Sequence, residues 1–544
     1  MPRASSPRPQ AFAHSAPAFV ALTLALAGCA EAKGDPAPGA APESAPVTAA
    51  APESAPAAAP VTAPASASAS ASASAPVSVP ASDKPLGARI WSKARFAWIH
   101  PEPAATGAWI GYLALGSSAP LRGGSVEKAR VMGGSGCSAW YAVEPQGYVC
   151  AGATATVDPN DPAAAILRRD AADISSPWPY QYAESTSAPR YAHIPTRAEQ
   201  REAEWDLEKH EAHIAKVRGL TDPKEIAAID KTLVGVDLSA SGQEPPTLLP
   251  FSPLVREQRK FVALGSTVAY VRSFDVEGRT YLLTADQAIV PKDRVKPYPR
   301  SNFQGIALEG NVKLPLAFFR KNPRPKWKLN ADGKLELTEE TFPRLAWVGL
   351  TGKNIKQDGT TFVETNEPSV YVRADDAQIA EAVTAAPWLG QDDARDTKKW
   401  LDISVLNGTL VAYVGLRPVY ATLISPGRGG LPYEGIDPVK TASTPTGIFR
   451  VDGKFRTATM VSSTDENLVH AEVNWVMNFH GPHALHGAYW HDGWGEPKSG
   501  GCVNLSALDA KWVFDWTDPP IPEGWHGLRA VSVFGPSTIV RVHR

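Results

Sequence analysis

From Ala30 to about Ser82 the chain is mostly Ala, Pro and Ser, with no aromatic and few charged side chains. Such a tract cannot bury enough apolar surface to offset the entropy of ordering it, so any fold must be assembled from residues outside it. Residues 30–83 are therefore expected to form a disordered tether. Its prolines favour extended backbone at about 3.1 Å per residue, which gives a reach on the order of 100 Å.

Residues 1–29 have the pattern of an export signal. Arg3 and Arg8 supply positive charge, and Ala16 to Ala27 is almost wholly apolar. That run is shorter than the ~20 residues a membrane span needs. The ending Leu26-Ala27-Gly28-Cys29 resembles a bacterial lipoprotein lipobox. The resemblance implies cleavage before Cys29 and acylation of its thiol, each buried methylene then holding the protein at a membrane with roughly 0.8 kcal/mol. Ala30 after the cysteine, with no Asp there, implies the outer membrane in a host that has one, and a place on the periplasmic side of the cell envelope. The formal charge of −2, from 54 Lys+Arg against 56 Asp+Glu, provides no basic field to track phosphates, so nucleic acid is not an expected partner.

Three cysteines follow Cys29. Cys137 and Cys150 flank a hairpin-like stretch and are expected to form a disulfide in an oxidising compartment. Cys502 then stands apart as a thiol kept for chemistry, a buried inert cysteine being the structural alternative.

The remaining sequence is mainly β. Short β-forming runs such as Ala88–Trp91, Phe96–Ile99 and Trp109–Leu113 place a module at 84–158. A helical insert is expected at 159–245. There Thr196 and Glu199 have capping-box spacing, one helix runs through Trp205 and Val217 to Gly219, and His210 and His213 are read as solvated. Between 246 and 390 a hairpin, strand and turn pattern occurs twice, at Gly278–Asp293 and Gly359–Asp375, which reads as two further β modules. These modules resemble bacterial SH3-like wall-associated domains. The last unit, 396–544, opens on a hairpin around Asn407-Gly408 and holds one helix after Ser506.

The chemistry concentrates in His486-Gly487 and in Ser499-Gly500-Gly501-Cys502-Val503-Asn504. A cysteine attacks as thiolate, so it needs a base or a positive potential nearby. The helix beginning after Ser506 is expected to lend its dipole, and the paired glycines to aim amides at an oxyanion. With Thr444-Pro445-Thr446-Gly447-Ile448-Phe449 and Trp475–Phe479 upstream, the segment 398–543 resembles the L,D-transpeptidases of the YkuD type. The family often has His where this chain has Gly500.

The resemblance implies a β-sandwich-like catalytic domain. In it Cys502 is the nucleophile, His486 is the base, and the Gly487 carbonyl orients the imidazole. Gly500, Gly501 and Cys502 supply oxyanion amides, and Ser499 orders the loop. Trp475, Met477 and Asn504 meet substrate. No cofactor or metal is expected, although His480, His483, His486 and His491 crowd the region. The implied partners are peptidoglycan peptide stems, as donor and acceptor, and a membrane reached through the lipid. The implied reaction is 3→3 cross-linking through a thioester. Attachment of a lipoprotein to peptidoglycan and L,D-carboxypeptidase trimming are alternatives at the same site. A non-catalytic, lipid-anchored wall-binding protein is the alternative of another class.

Overall fold

The computed structural model of the chain describes residues 26–28, 87–250, 260–386, 398–462, 468–530 and 532–544. The tether, Cys29 and the export segment apart from 26–28 lie outside the described residues. Among the described residues no helix is long and apolar enough to cross a membrane.

The C-terminal part is a sandwich of two sheets. One has six strands in the order Ile306–Ala307, Arg417–Leu423, Thr409–Val414, Lys399–Ser404, Ile539–His543 and Gly447–Arg450. Its central hairpin joins Ser404 to Thr409 through a four-residue connection. Val405 leaves the ladder there to donate its amide to the His543 carbonyl at 2.9 Å. Gly408 takes φ 62°, and a Cβ on it would stand 2.7 Å from the Gly495 oxygen.

The facing sheet contributes Val503–Leu505, His483–Gly487, Val469–His480 and Gly453–Ser462. Strand alternation sends Leu401, Ile403 and Leu410 from one sheet against Met477, Leu485, Val503 and Leu505 from the other. The helix Ala507–Trp516 closes this core with Val513 and Phe514. Each such buried side chain contributes roughly 1.5–3 kcal/mol.

That second sheet does not end with the C-terminal strands. It continues through Gly527–Arg529 into Gly111–Leu113, Ala97–His100, Tyr148–Ala151 and Ala139–Ala142, so strands of the 84–158 stretch extend the C-terminal sheet. Glycines make the join possible. A Cβ on Gly111 would lie 2.5 Å from the Trp525 ring, and one on Gly527 would lie 2.6 Å from Tyr112. Trp525 is fully buried beneath the seam, where its indole donates to the Glu144 carbonyl at 2.9 Å. Near the far edge Cys137 and Cys150 form a disulfide.

Two further β units stand out among the described residues. The first combines Gln181–Ser185, from inside the expected helical insert, with strands between Thr267 and Pro297. The second runs from Leu316 to Ala380. Both contain the repeated pattern, a hairpin turning at Glu277-Gly278 or Asp358-Gly359 with φ positive at all four residues. Each then continues through a strand into a 3₁₀ turn, Lys292–Arg294 or Ala374–Asp376.

The capping box at Thr196 and Glu199 is present. The single helix expected beyond it is two, Arg197–Ala203 and Leu207–Val217. The break falls at Glu204, whose carboxylate is drawn into a buried network with Arg279 (2.8 Å) and Arg294 (2.9 Å). Trp205 is consequently turned out to solvent, 88% exposed. His210 is buried against Asp293 at 3.3 Å and His213 meets Asp230 at 3.2 Å, so neither is the solvated side chain expected.

Candidate active site

His483–Gly487 and Val503–Leu505 lie side by side as parallel strands, with Leu485 opposite Val503, His486 opposite Asn504 and Gly487 opposite Leu505. Alternation turns Leu485, Val503 and Leu505 into the sandwich core. It leaves Ala484, His486, Cys502 and Asn504 on the opposite face. Cys502 is therefore a diagonal neighbour of His486, at a register offset of two residues. Both side chains are 0% exposed.

The imidazole orientation is fixed by its own strand. His486 Nδ1 lies 3.0 Å from the Gly487 carbonyl oxygen. A carbonyl only accepts, so Nδ1 carries the proton and Nε2 presents a lone pair. Nε2 is buried without a hydrogen-bond partner among the described residues. Gly487 must be glycine, because a Cβ there would stand 2.5 Å from the Asn474 amide.

Ser499 shapes the loop before Cys502. Its hydroxyl donates to the Cys502 carbonyl at 2.5 Å and accepts the Gly501 amide at 3.0 Å. Gly501 adopts φ 129°, and a Cβ on it would meet the Ser443 oxygen at 2.7 Å and His483 Nε2 at 3.0 Å. The Gly501 amide is thus engaged by Ser499, which corrects its expected place in an oxyanion hole.

The helix dipole is also further away than expected. The strand Val503–Leu505 separates Cys502 from Ala507, roughly 10 Å of extended chain, and the dipole fades within the first turn. The helix N-terminus is occupied by its own cap. The Ser506 hydroxyl accepts the Asp509 amide at 3.0 Å. The fully buried Asp509 carboxylate accepts from Tyr420 (2.6 Å), Thr422 (2.7 Å), Ser506 (2.9 Å) and the Gly305 amide (2.8 Å).

Trp475 and Met477 do not line a groove. Both are fully buried in the sandwich core, with the Trp475 indole donating to the Pro177 carbonyl at 2.8 Å. The reason is local. Glu472 and Trp475 take left-handed φ of 47° and 57°, which resets the alternation of the strand. Asn504 is also fully buried, and its side-chain amide lies 3.1 Å from His491 Nε2.

Further side chains surround the pair: His483 and His491, both among the histidines that crowd this region of the sequence, and His470 and Trp490, which sequence reasoning passed over. His483 donates from Nδ1 to the His480 carbonyl at 3.2 Å, and its Nε2, buried and without a hydrogen-bond partner, abuts Gly501. His470 stacks near Trp490 at 4.3 Å, and Trp490 in turn lies 5.8 Å from His486. Burial holds His470 and His491 down to a pKa of about 3, so both are neutral at ordinary pH. Buried polar atoms are normally satisfied. Near the pair His486 Nε2, His483 Nε2, Trp490 Nε1, Asn474 Oδ1 and Asn504 Oδ1 are buried without a hydrogen-bond partner among the described residues. His480 is exposed, which takes it away from this group. Among the described residues no cluster of three or more His, Cys, Asp or Glu side chains has metal-holding geometry.

The segment 425–444 pairs edge to edge with the loop. Ser425 bridges to Asn504 and Gly427 to Ser499, while Ser443 and Thr444 are fully buried beneath. Tyr433 and Ile436 are exposed at its crest.

Residues 398–540 match the YkuD family model, the L,D-transpeptidase catalytic domain. The comparison with curated proteins gives no match. Among solved structures, the L,D-transpeptidase from Xylanimonas cellulosilytica is 21% identical, over 28% of this chain and 65% of its own, with a TM-score of 0.20. An Enterococcus faecium L,D-transpeptidase variant is 19% identical, over 30% of this chain and 55% of its own, with a TM-score of 0.21. L,D-transpeptidase 3 from Mycobacterium tuberculosis is 14% identical, over 41% and 79%, with a TM-score of 0.20. The chain thus spans about two thirds or less of the first two.

Proposed function

We propose that this chain is a cysteine L,D-transpeptidase that forms 3→3 cross-links between peptidoglycan stems. The observation that carries the reading is His486: with Nδ1 tied to the Gly487 carbonyl, its Nε2 is left to face Cys502 across the sheet. The Cys502 proton passes to Nε2 and the sulfur attacks the carbonyl of the third stem residue. The amides of Gly500 and Cys502 receive the oxyanion. The C–N bond to the terminal D-Ala breaks, its amine leaves with the proton from Nε2, and a thioester remains. An acceptor stem amine then attacks, gives its proton to Nε2, and the thiolate departs to be reprotonated. Lipid attachment at Cys29 would place the enzyme in the cell envelope, on the periplasmic side, with the tether setting its reach.

Incubation with a carbapenem and intact-mass measurement tests the reading. One covalent equivalent on the wild type and none on Cys502→Ala supports it. An unmodified wild type supports a wall-binding protein instead. Muropeptide profiles of cells with and without the protein then identify the acceptor: new 3→3 dimers for a stem amine, new tripeptides for water.

A further inference from the structure

A cavity of 180 Å³ opens where the N-terminal strands, the first small β unit and the catalytic sheet meet. Its apolar wall is aromatic. Phe96 and Trp98, two residues apart and so on one face of their strand, have centroids 5.0 Å apart and near-parallel rings, and Tyr112 stands edge-on to both. Phe96 and Trp98 remain partly exposed, so their faces are available to a ligand.

The polar wall centres on Glu472. Its carboxylate accepts from Thr457 (2.6 Å), Thr459 (3.1 Å) and Arg95 (3.1 Å), and Thr457 in turn contacts His526 Nε2 at 2.9 Å. Glu472 holds a left-handed φ of 47°, a conformation that costs a non-glycine residue about 1–3 kcal/mol. The Tyr182 hydroxyl, donating to the Glu472 carbonyl at 2.9 Å, helps to fix it.

The charges define the ligand. Arg95 is paired with Glu472, and Arg190, on the adjoining cavity of 340 Å³, is paired with Asp286. An ionic ligand would have to break one of these pairs. A neutral ligand rich in hydroxyls inserts as both donor and acceptor without doing so, while its C–H faces lie on the aromatic rings. Pockets that enclose a whole drug-sized ligand run to about 300–1,000 Å³. The first cavity is therefore suited to one ring of a longer chain, and the second shares Arg95, Asp286, Thr459 and Glu472 with it.

We propose that this groove binds a neutral oligosaccharide, one pyranose ring lying on Phe96 and Trp98 with its hydroxyls on Glu472 and Arg95. Tyr112 and Phe455 of the cavity wall pack in the same cluster as Ala484 and Cys502. The identification of that oligosaccharide as wall glycan rests on the transpeptidase reading; the binding does not.

The test uses the full chain carrying Cys502→Ala, with a β-1,4-linked N-acetylglucosamine tetramer as probe and calorimetry as readout. The tetramer is expected to bind, and to bind at least tenfold more weakly when Trp98→Ala or Glu472→Gln is added. Near-UV circular dichroism is expected to stay unchanged, and the isosteric Glu472→Gln decides the matter if Trp98→Ala unfolds. No binding, equal binding to both variants, or displacement of the tetramer by a free tetrapeptide stem overturns the proposal. Failure of wild-type acylation by a carbapenem with tetramer binding intact overturns the transpeptidase reading and leaves the groove standing.

Discussion

His486 is the register partner of Asn504 across two parallel strands, and this pairing puts Cys502 diagonally behind Asn504 on the imidazole's own face. Diagonal neighbours on a sheet face lie roughly 7 Å apart at Cα, with Cβ atoms closer. His486 lies within one strand and Cys502 immediately precedes the other, so the ladder fixes where the Ser499 loop delivers the cysteine. Both side chains are fully buried.

Gly501→Ala should abolish acylation without dissolving the domain. The methyl would strain a left-handed backbone and press on the Ser443 oxygen and His483 Nε2. Displacement of the loop by about 1 Å is enough to slow chemistry on the order of 100-fold. Carbapenem acylation rates should fall by at least that factor, and urea denaturation should register a loss of about 1–3 kcal/mol.

Asp509→Ala should be among the most damaging changes away from the nucleophile. It leaves the Tyr420 and Thr422 hydroxyls and the Gly305 amide without their acceptor in a fully buried place. Each stranded donor costs about 1–3 kcal/mol. Chemical denaturation should show at least about 3 kcal/mol lost, and hydrogen exchange should rise first along Ala507–Trp516.

Acid should weaken the fold through buried histidines. His470 and His491 are held near 3 and His526 near 4 by burial, whereas an unfolded imidazole titrates near 6.5. As pH falls from 6.5 towards 3 the unfolded chain takes up these protons before the folded one, so stability present above 6.5 is lost across that window. His470→Phe removes one such group. Its melting temperature should therefore gain on the wild type steadily below pH 6.5, and the difference between the two should stay constant between pH 7 and 8.

Local signals carried far in this sequence, and contacts between distant segments account for the rest. The hairpin at Asn407-Gly408, the capping box at Thr196 and the helix after Ser506 depend on neighbours within a few residues, and each stands where its residues place it. The ordered motifs between Thr444 and Asn504 marked the part of the chain that the family model matches. The merging of the 84–158 strands with the catalytic sheet depends on Gly111 meeting Gly527, over 400 residues later, with Trp525 beneath them. The helix break at Glu204 depends on Arg279 and Arg294. Trp475 and Met477 face the core because Val473 and Val476 share the other face, three residues apart, across a left-handed Trp475. A non-glycine residue gives no sequence sign that it will take that conformation.

The most direct measurement is intact mass after mixing the protein with a disaccharide–tetrapeptide under single-turnover conditions. The account predicts an adduct equal to the substrate minus D-Ala, located on Cys502, formed at least 100-fold more slowly in His486→Gln and not at all in Cys502→Ala. Release of D-Ala by Cys502→Ala at the wild-type rate, or adduct formation in His486→Gln as fast as in the wild type, would contradict it.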